Sequence, residues 1–351
     1  MSSAIETQRG ERAHLGPGDA IIDEAYARSV LPSRAYGAHK WGVGGLVIVA
    51  GSPGFVGAPA LCAMAAGRAG AGIVSLAVPR GIAGAIAANV PEAAFVLLPE
   101  SDSGGGGRKA VELIKAKLDR STALLVGPGL GDDETSTALL AALFGIGGSR
   151  AVGFRGAIGF ATNATREEPE AEAPPPVGIA KPVVIDADGL NWLAKQDGWR
   201  DRFPARQAVL TPHVGEMARL LGKEPDEIVA DPVGTAREAS RSWDQVVVFK
   251  YGHTVVSDGD RTLIAEDAPP SLASAGTGDV LAGTIGAFLA QGLAPVDAAA
   301  LAVFVGGRAA RRVERRFGTL GLVASDLPPA IAEELAALER APSDSAGAGR
   351  G

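Results

Sequence analysis

Short apolar runs alternate along the chain with segments whose apolar residues recur at helical spacing. The runs are rich in Val, Ile, Leu and Ala and lie at 46–50, 73–78, 94–98, 123–126, 182–185, 208–211 and 246–250. Such runs are typical of strands buried in a parallel sheet, and the segments between them are long enough for helices. The pattern predicts an α/β fold with a mostly parallel central sheet that helices cover on both faces.

The carboxyl-terminal part of this pattern adds a hairpin and two helices. Apolar runs at 254–257 and 261–265 follow the strand at 246–250, and Asp and Gly residues separate them, which predicts a hairpin. The segments at 295–317 and 325–338 are amphipathic, and we expect them to pack on the sheet as helices.

The pattern breaks at both ends and once in the middle. Residues 1–35 are predicted to form an amino-terminal extension with a short helix near 24–30. The segment 145–181 is rich in glycine, acidic residues and proline, so it cannot bury much apolar surface and is predicted to be a disordered insertion. The domain would then span 36–340, and a flexible Gly- and Ser-rich tail would occupy 341–351.

One glycine-rich segment precedes an uncharged helical stretch at 280–289. It consists of Gly276, Thr277, Gly278 and Asp279. A helix that begins here would direct unpaired N–H groups and the positive end of its dipole toward an anion such as a phosphoryl group. A carboxylate at that place could remove a proton from an attacking hydroxyl, so Asp279 is a candidate general base. The alternative is that Asp279 only caps the helix.

Glycine and polar residues also follow other predicted strands. Gly129 and Gly131 end one of them, Asp186 and Asp188 end the next, and His213 follows a third. Ligands of open α/β sheets bind beyond the carboxyl ends of the strands, so these residues are candidates for a binding site. Tight turns explain the glycines equally well, and helix capping or a structural role would explain the acids and the histidine. The two acids could also hold Mg²⁺ or a hydroxyl group.

Composition and charge narrow the classes of function. The chain has 351 residues, of which 46% are hydrophobic, and a formal net charge of −7. It can bury a full core, and its charge argues against non-specific binding to nucleic acid, so a small ligand is expected. Cys62 is the single cysteine and lies in an apolar setting, which excludes an intrachain disulfide and predicts a buried side chain.

Targeting features are absent from the amino-terminal sequence and from the longest uncharged stretch. The first thirty residues lack the apolar core of a secretory signal. Residues 43–67 carry no charge, but the glycines and proline at 51–57 would break a membrane-spanning helix. We therefore expect a strand–loop–helix unit here, no membrane partner, and a cytoplasmic protein.

Taken in order, the loops resemble those of the ribokinase-like superfamily and, within it, the NAD(P)H-hydrate dehydratase family. A Gly-Thr-Gly-Asp segment alone would indicate only the superfamily, whereas Thr-Pro-His and Gly-Pro-Gly-Leu-Gly loops in this order are more specific. The matching segments are 51–58, 68–72, 126–131, 184–191, 210–217, 275–283 and 321–327. The resemblance implies a three-layer sandwich and covers nearly all of the chain outside 145–181.

The resemblance also implies a reaction. The family phosphorylates the ring hydroxyl of hydrated NADH or NADPH, the S epimer, with ADP or ATP and Mg²⁺, and phosphate then leaves to restore the dinucleotide. Asp279 would be the base, and Gly276, Thr277 and Gly278 would hold the phosphoryl group. The implied substrate-binding residues are Ala58, Gly129, Gly131, Asp188, Asn191, His213 and Asp279. The implied nucleotide-binding residues are Lys250, Tyr251, Gly252, His253, Thr254 and Gly278. A homotetramer and a separate epimerase as pathway partner are also implied.

Four places depart from the family pattern. The loop 250–254 stands where a Lys-Gly-Ala type loop is usual, and 269–271 replaces Asn-Pro-Gly. Val214 replaces a proline, and Gly306 replaces a histidine. These changes leave two other functions open. One is a small-molecule kinase of the same fold, for a vitamin precursor or a sugar, and the other is a nucleotide-binding protein with weakened catalysis.

Overall fold

The computed structural model describes residues 4–6, 12–14, 19–99, 106–146 and 179–340. The strands are β1 (Ala4–Glu6), β2 (Arg12–His14), β3 (Asp19–Ile22), β4 (Gly45–Val49), β5 (Ile73–Pro79), β6 (Ala94–Leu98), β7 (Ala123–Val126), β8 (Val183–Ile185), β9 (Ala208–Leu210), β10 (Val246–Phe249), β11 (Val255–Ser257) and β12 (Thr262–Ala265). The strands β1 and β2 pair with each other, and the other ten form one sheet in the order β3-β12-β11-β10-β9-β8-β7-β4-β5-β6.

Helices cover both faces of the sheet. They are α1 (Glu24–Ser29), α2 (Lys40–Val43), α3 (Gly57–Arg68), α4 (Arg80–Ala87), α5 (Gly106–Leu118), α6 (Glu134–Phe144), α7 (Asp188–Leu193), α8 (Val214–Leu221), α9 (Pro225–Ala230), α10 (Pro232–Trp243), α11 (Thr277–Ala290), α12 (Pro295–Phe317) and α13 (Leu327–Arg340), with short 3₁₀ turns at Trp199–Arg202, Pro270–Leu272 and Ala324–Asp326. The predicted α/β fold is therefore confirmed.

The sheet divides the hydrophobic core into two layers. Successive side chains of a strand point to opposite faces. In β4, Leu46 and Ile48 pack toward α3, α11, α12 and α13, whereas Val47 and Val49 pack toward the helices of the other face. All five residues of β4 are buried, which explains why its sequence is continuously apolar and does not alternate.

The sheet is parallel apart from the predicted hairpin. The antiparallel pairs are β10 with β11 and β11 with β12. The strand β3 then pairs in parallel with β12 at the edge of the sheet. The sheet thus begins before residue 36, where the sequence placed the start of the domain. A short run of four residues in a polar region gives little signal by itself, because it becomes a strand only against a neighbour brought there by tertiary structure.

Residues at both ends of the predicted insertion 145–181, namely 145–146 and 179–181, belong to the described fold. Gly145 ends α6 in a left-handed conformation, and Ile146 and Ile179 are buried in the core. Lys181 donates from Nζ to the carbonyl oxygen of Asp119 at 3.2 Å. Residues 147–178, on which the prediction of disorder mainly rests, lie outside the described residues, as does the predicted tail at 341–351.

The uncharged stretch at 43–67 forms β4, a loop and α3, as predicted. Within the described part of the chain, no helix combines the length and apolar character needed to cross a membrane. Cys62 of α3 is fully buried, and burial raises the pKa of its thiol well above the ordinary value.

The contact between α3 and α11 requires a glycine at 283. A Cβ added at Gly283 would lie 2.3 Å from the carbonyl oxygen of Cys62 and 2.8 Å from its Cα. Both neighbours are backbone atoms of α3, so they cannot yield without moving a helix. This close approach fixes α11 against α3, and the glycine-rich segment at its start is positioned with it.

We expect Gly283→Ala to lower the free energy of unfolding by about 2–3 kcal/mol, because the added methyl must push the two helices apart. Urea unfolding measures the change. Gly67→Ala is the matched control, since Gly67 lies in α3 and a Cβ there would meet no heavy atom within 4 Å. That control should be neutral or stabilising by up to about 1 kcal/mol. Equal stability of Gly283→Ala and the wild type would contradict the close contact.

Candidate active site

The carboxyl ends of four adjacent parallel strands face the start of α11. These strands are β7, β8, β9 and β10. They deliver the loops that carry Gly129 and Gly131, Asp186 and Asp188, His213, and Lys250 respectively. The polar and charged residues of these loops therefore lie at one edge of the sheet, because neighbouring parallel strands all end there.

The start of α11 has the geometry that the sequence predicted. Gly276 precedes the helix at φ +86°, a backbone conformation that favours glycine. A Cβ at this position would also lie 2.6 Å from Cδ1 of Leu61. The hydroxyl of Thr277 donates to the carbonyl oxygens of Leu272 at 2.7 Å and Ser274 at 2.9 Å, which holds the turn closed. The first turn of α11 then carries Asp279.

The carboxyl group of Asp279 titrates near neutral pH. Burial, together with the negative charge of Asp186, raises its pKa to about 7, although Lys250 opposes the shift. A carboxylate with this pKa can accept a proton near neutral pH and release it again, which is what a general base requires.

Lys250 lies at the centre of a buried group of acids. Its Nζ donates to Oδ1 of Asp186 at 3.0 Å and lies 3.9 Å from Oε2 of Glu216. Oδ1 of Asp186 also accepts from the hydroxyl of Thr211 at 2.6 Å. Burial lowers the pKa of Lys250, but Asp186 and Glu216 outweigh that effect, and the pKa is raised above its ordinary value. Lys250 is therefore a fixed positive charge beside Gly278, at the start of α11.

His213 has a structural role in the described fold. Its Nδ1 accepts from the backbone N–H of Gly215 at 3.0 Å, and the backbone N–H of His213 donates to Oε2 of Glu216 at 2.8 Å, so the two residues cap α8 reciprocally. Burial and the positive charges of Lys250 and Arg219 lower the pKa of His213. The ring is thus neutral at neutral pH, and since Nδ1 accepts, the hydrogen is on Nε2.

Glu216 is buried, and burial raises its pKa to about 7. Neither Glu216 nor Asp186 was among the residues that the resemblance assigned to the site. Their signal in the sequence was their position, because each follows a buried strand in a loop that also carries an assigned residue.

The loop after β7 meets the loop after β8. The N–H of Gly131 donates to Oδ2 of Asp188 at 2.8 Å. Between the two acids, Ala187 has φ +51°, which is strained for a residue with a side chain. This conformation separates the directions of its neighbours, so that Asp186 pairs with Lys250 and Asp188 pairs with Gly131. Backbone strain of this kind concentrates at functional sites.

Two more of the assigned substrate-binding residues, Ala58 and Gly129, lie on the rim that the loops after β7 and β8 form. A third, Asn191, lies beside this rim and has a hydrogen-bond partner. A Cβ added at Gly129 would lie 2.7 Å from Cβ of Phe55 and 3.0 Å from Cβ of Ala58, so the loop after β4 and the start of α3 contact the loop after β7. The side chain of Asn191 accepts from Nε of Arg219 at 2.9 Å. The structure thus brings together Ala58, Gly129, Gly131 and Asp188, with Asn191 on the adjoining helix α7.

The assigned nucleotide-binding residues divide into two groups. Lys250, Thr254 and Gly278 line a cavity between α11, α12 and α13, together with Thr277 of the predicted phosphoryl site. Tyr251 instead stacks on Phe249, with ring centroids 6.2 Å apart.

Nδ1 of His253 lies 2.8 Å from the carbonyl oxygen of Ala265. Gly252 has φ +54° and supplies the turn between Tyr251 and His253. The assignment of these three residues to nucleotide binding stays a prediction.

Sequence analysis missed most of the cavity wall. Its other lining residues are Asp267, Leu272, Val280, Leu281, Thr284, Ala302, Val303, Gly306, Gly307, Leu327 and Ile331. These residues come from three helices and from the segment that connects β12 to α11, so no local pattern identifies them. Only Gly306 among them was singled out, as a departure from the family pattern.

A family described as NAD(P)H-hydrate dehydratase matches residues 46–146 and 178–333. The chain belongs to the NAD(P)H-hydrate dehydratase family. The resemblance given by the loops is thereby confirmed, and the loops of the site lie within the matched residues.

Relatives within the NAD(P)H-hydrate dehydratase family differ in length. The chain is 36% identical over 310 residues to the bifunctional NAD(P)H-hydrate repair enzyme Nnr of Moorella thermoacetica, a match that covers 88% of this chain and 52% of that one. It is 31% identical over 320 residues to the ADP-dependent (S)-NAD(P)H-hydrate dehydratase of Xanthomonas campestris, covering 90% and 96%. The chain thus spans about half the length of the bifunctional relatives.

Solved structures show the same fold. The ADP/ATP-dependent NAD(P)H-hydrate dehydratase of Bacillus subtilis, co-crystallised with ATP and Mg²⁺, superposes with a TM-score of 0.70 at 23% identity and covers 91% of this chain and 98% of that one. A ribokinase-like superfamily protein of Enterococcus faecalis gives a TM-score of 0.72 at 18% identity, covering 93% and 99%. The ribokinase-like fold implied for this family member is therefore confirmed.

Proposed function

We propose that this protein dehydrates the S epimer of hydrated NADH or NADPH, with ADP or ATP as phosphoryl donor. The observation that carries the proposal is the position of Asp279. It lies in the first turn of α11, next to Gly278 of the cavity wall, and the charges of Lys250 and Asp188 both act on it. Family membership supplies the substrate class.

The residues of this site support phosphorylation followed by elimination. Asp279 removes the proton of the ring hydroxyl, and that oxygen attacks the terminal phosphorus of the nucleotide. The bond between the terminal phosphorus and the bridging oxygen of ADP or ATP breaks, which releases AMP or ADP as the leaving group. The phosphorylated oxygen then leaves the ring as inorganic phosphate while a neighbouring ring proton is lost, and the double bond of the reduced nicotinamide is restored. The net change is loss of water from the dinucleotide and hydrolysis of one phosphoanhydride.

Stabilisation of the transferred group comes from the start of α11 and from Lys250. The N–H groups of Gly278 and Asp279 lie in the first helical turn, where no intrahelical acceptor exists. The N–H of Thr277 already lies 3.4 Å from the carbonyl oxygen of Ser274, so it contributes less. Lys250 places a positive charge on the same side, and it carries that charge at neutral pH because its pKa is raised.

Mg²⁺ fits this site as an ion shared with the nucleotide. Among the described residues, no three or more His, Cys, Asp and Glu side chains are grouped to hold a metal. Mg²⁺ usually takes one or two carboxylates, with phosphate oxygens and waters as its other ligands. Asp186 would supply a carboxylate oxygen beside the anion site, since its Oδ2 would lie 3.9 Å from a Cβ added at Gly278. When bound there, the ion would neutralise charge on the phosphates.

The pathway partner we propose is an epimerase. The substrate exists as R and S epimers, and a dehydratase specific for the S form needs the R form to be converted. Relatives that match this chain over about half their length are named bifunctional repair enzymes, which supports this pairing of activities.

The direct test is an assay with purified protein, the S epimer of hydrated NADPH, Mg²⁺ and either ADP or ATP. We expect the absorbance of reduced nicotinamide to recover only when a nucleotide is present, with one phosphate released for each NADPH formed. A phosphorylated substrate that accumulates without NADPH would contradict dehydration and favour a kinase. Nucleotide binding without turnover of hydrated NADPH would favour a binding protein.

A further inference from the structure

One arginine beside the candidate active site carries a positive charge that no neighbouring acid neutralises. Arg219 lies on α8, one helical turn after Glu216, and its side chain is exposed. Its Nε donates to Oδ1 of Asn191 on α7 at 2.9 Å, and this oxygen belongs to an uncharged amide. Among the described residues, no carboxylate lies within 4 Å of the guanidinium. The group is therefore held in place, and its charge is free to bind an anion.

The guanidinium of Arg219 lies near the start of α8. A long side chain on an α-helix leans toward the amino-terminal end. Its Nη1 would lie 3.7 Å from a Cβ added at Gly215, which belongs to the first turn. Although burial dominates the pKa of His213 and of Glu216, the positive charge of Arg219 lowers both. Because α8 begins where β9 ends, Arg219 reaches the edge of the sheet at which the loops of the site meet.

Positive charges are few at this edge of the sheet. The segments 127–133, 186–193, 211–221 and 250–254 comprise the loops after β7, β8, β9 and β10 with α7 and α8, and their Lys and Arg residues are Lys250 and Arg219. Lys250 is already paired with Asp186. A hydrated dinucleotide brings a pyrophosphate, and in the NADPH form also a 2′-phosphate, to a site that holds Asp188 and Asp279. An unpaired positive charge favours the binding of these phosphates, and Arg219 supplies one.

We propose that Arg219 binds a phosphate group of the hydrated dinucleotide and that Asn191 orients its guanidinium for this contact. The inference rests on the proposed function, which brings the reacting ring to Asp279 and leaves the phosphates of the substrate over the rim. A guanidinium suits a phosphate because its planar N–H groups donate to two oxygens at once. The phosphate is the pyrophosphate, which both dinucleotides carry, or the 2′-phosphate, which distinguishes NADPH from NADH.

Steady-state kinetics with the hydrated forms of NADPH and of NADH, at saturating phosphoryl donor, test this inference. In Arg219→Gln we expect KM for the hydrated dinucleotide to rise by about tenfold or more, because a charge-assisted hydrogen bond is lost. The turnover number should stay within about threefold, since the contact is made before and during the reaction alike. KM for ADP or ATP should not change, because no residue of α8 lines the cavity at Lys250 and Gly278.

The two dinucleotides distinguish the two phosphates. A rise in KM for hydrated NADPH alone would assign Arg219 to the 2′-phosphate. Equal rises for hydrated NADPH and hydrated NADH would assign it to the pyrophosphate. Both results support the inference, and the first would make Arg219 the residue that selects NADPH.

A series of charges at position 219 separates phosphate binding from a packing role. KM should rise in the order Arg219→Lys, Arg219→Gln, Arg219→Glu, with about tenfold more in the last step because a carboxylate repels the phosphate. Loss of the contact with Asn191 alone would raise KM equally in all three variants and would contradict the inference. The melting temperatures should stay within about 2 °C of the wild type, since the side chain is exposed.

Arg241→Gln is the matched control. Nε of Arg241 also donates to a neutral oxygen, the carbonyl of Gly259, at 2.7 Å. Gly259 lies in the turn after β11, which is antiparallel to β10, so this arginine is at the opposite edge of the sheet. The variant should keep the wild-type KM for both dinucleotides.

Wild-type KM values in Arg219→Gln would overturn the inference, as would an equal rise in KM for the phosphoryl donor. Either result would leave the proposed function standing, because the wild type would still restore NADPH. If the wild type itself turns over neither hydrated dinucleotide, the proposed function fails, and the inference fails with it.

Discussion

Asp279→Asn should abolish the recovery of reduced nicotinamide, with a loss in turnover of about 10³-fold or more. The amide keeps the shape of the carboxylate but cannot accept the hydroxyl proton, and general base catalysis contributes roughly this much. Affinity for the nucleotide should stay within a few fold, since the first turn of α11 is unchanged. Turnover assays and calorimetry on the same preparation measure the two effects.

Asp231→Asn is the matched control for this loss. Asp231 accepts from the N–H of Gly234 at 2.9 Å and caps α10, outside the site. If Asp279 acted only as a helix cap, both variants would lose little activity. Retention of more than a tenth of wild-type turnover by Asp279→Asn would contradict its role as the base.

Asp279→Asn should also be more stable than the wild type above neutral pH. The pKa of Asp279 is raised to about 7 in the fold, against about 4 in an unfolded chain. A raised carboxyl pKa gives stability that is present below pH 4 and is lost as the pH rises through 7. The advantage of the amide should therefore grow from about pH 4 to pH 7 and then stay constant, at about 1–3 kcal/mol.

Lys250→Met should lower the free energy of unfolding by about 3 kcal/mol or more and also abolish nucleotide binding. The side chains of Asp186 and Glu216 are only 2% and 5% exposed, and the substitution leaves them without their positive partner. Breaking a buried ion pair on one side is costly because the remaining charge stays buried. Urea unfolding at pH 8 and calorimetric titration with ADP measure the two losses.

Adding Asp186→Asn to Lys250→Met separates these effects. The amide can still accept from the hydroxyl of Thr211, and the buried charge is removed, so most of the lost stability should return. Nucleotide binding should not return, because the positive charge is still missing. A single Lys250→Met variant as stable as the wild type would contradict the ion pair.

Much of the fold was predictable because its signals are local. The strands β4 and β7 are apolar throughout, since both faces of the sheet are covered, and this distinguishes them from their surroundings. The start of α11 was predictable for a similar reason, because glycines and an acid precede a long uncharged helix. The strand β3 was not predictable, since it has four residues and depends on pairing with β12.

The candidate site was predictable only as a set of strand ends. Asp188, His213 and Lys250 were each singled out from a loop, but the sequence could not say which side chains meet. It is the order of strands in the sheet that brings Lys250 to Asp186, which lies 64 positions earlier in the chain.

The sequence by itself determined the fold class, the family and the residue best suited to be the base, because apolar periodicity and loop motifs are properties of neighbouring residues. Tertiary structure alone decided the electrostatics and the cavity. The raised pKa of Asp279 arises from burial and from Asp186. The cavity wall is formed mainly by the three helices α11, α12 and α13. Burial, charge pairing and open space depend on distances between segments far apart in the chain, and those distances exist only in the folded protein.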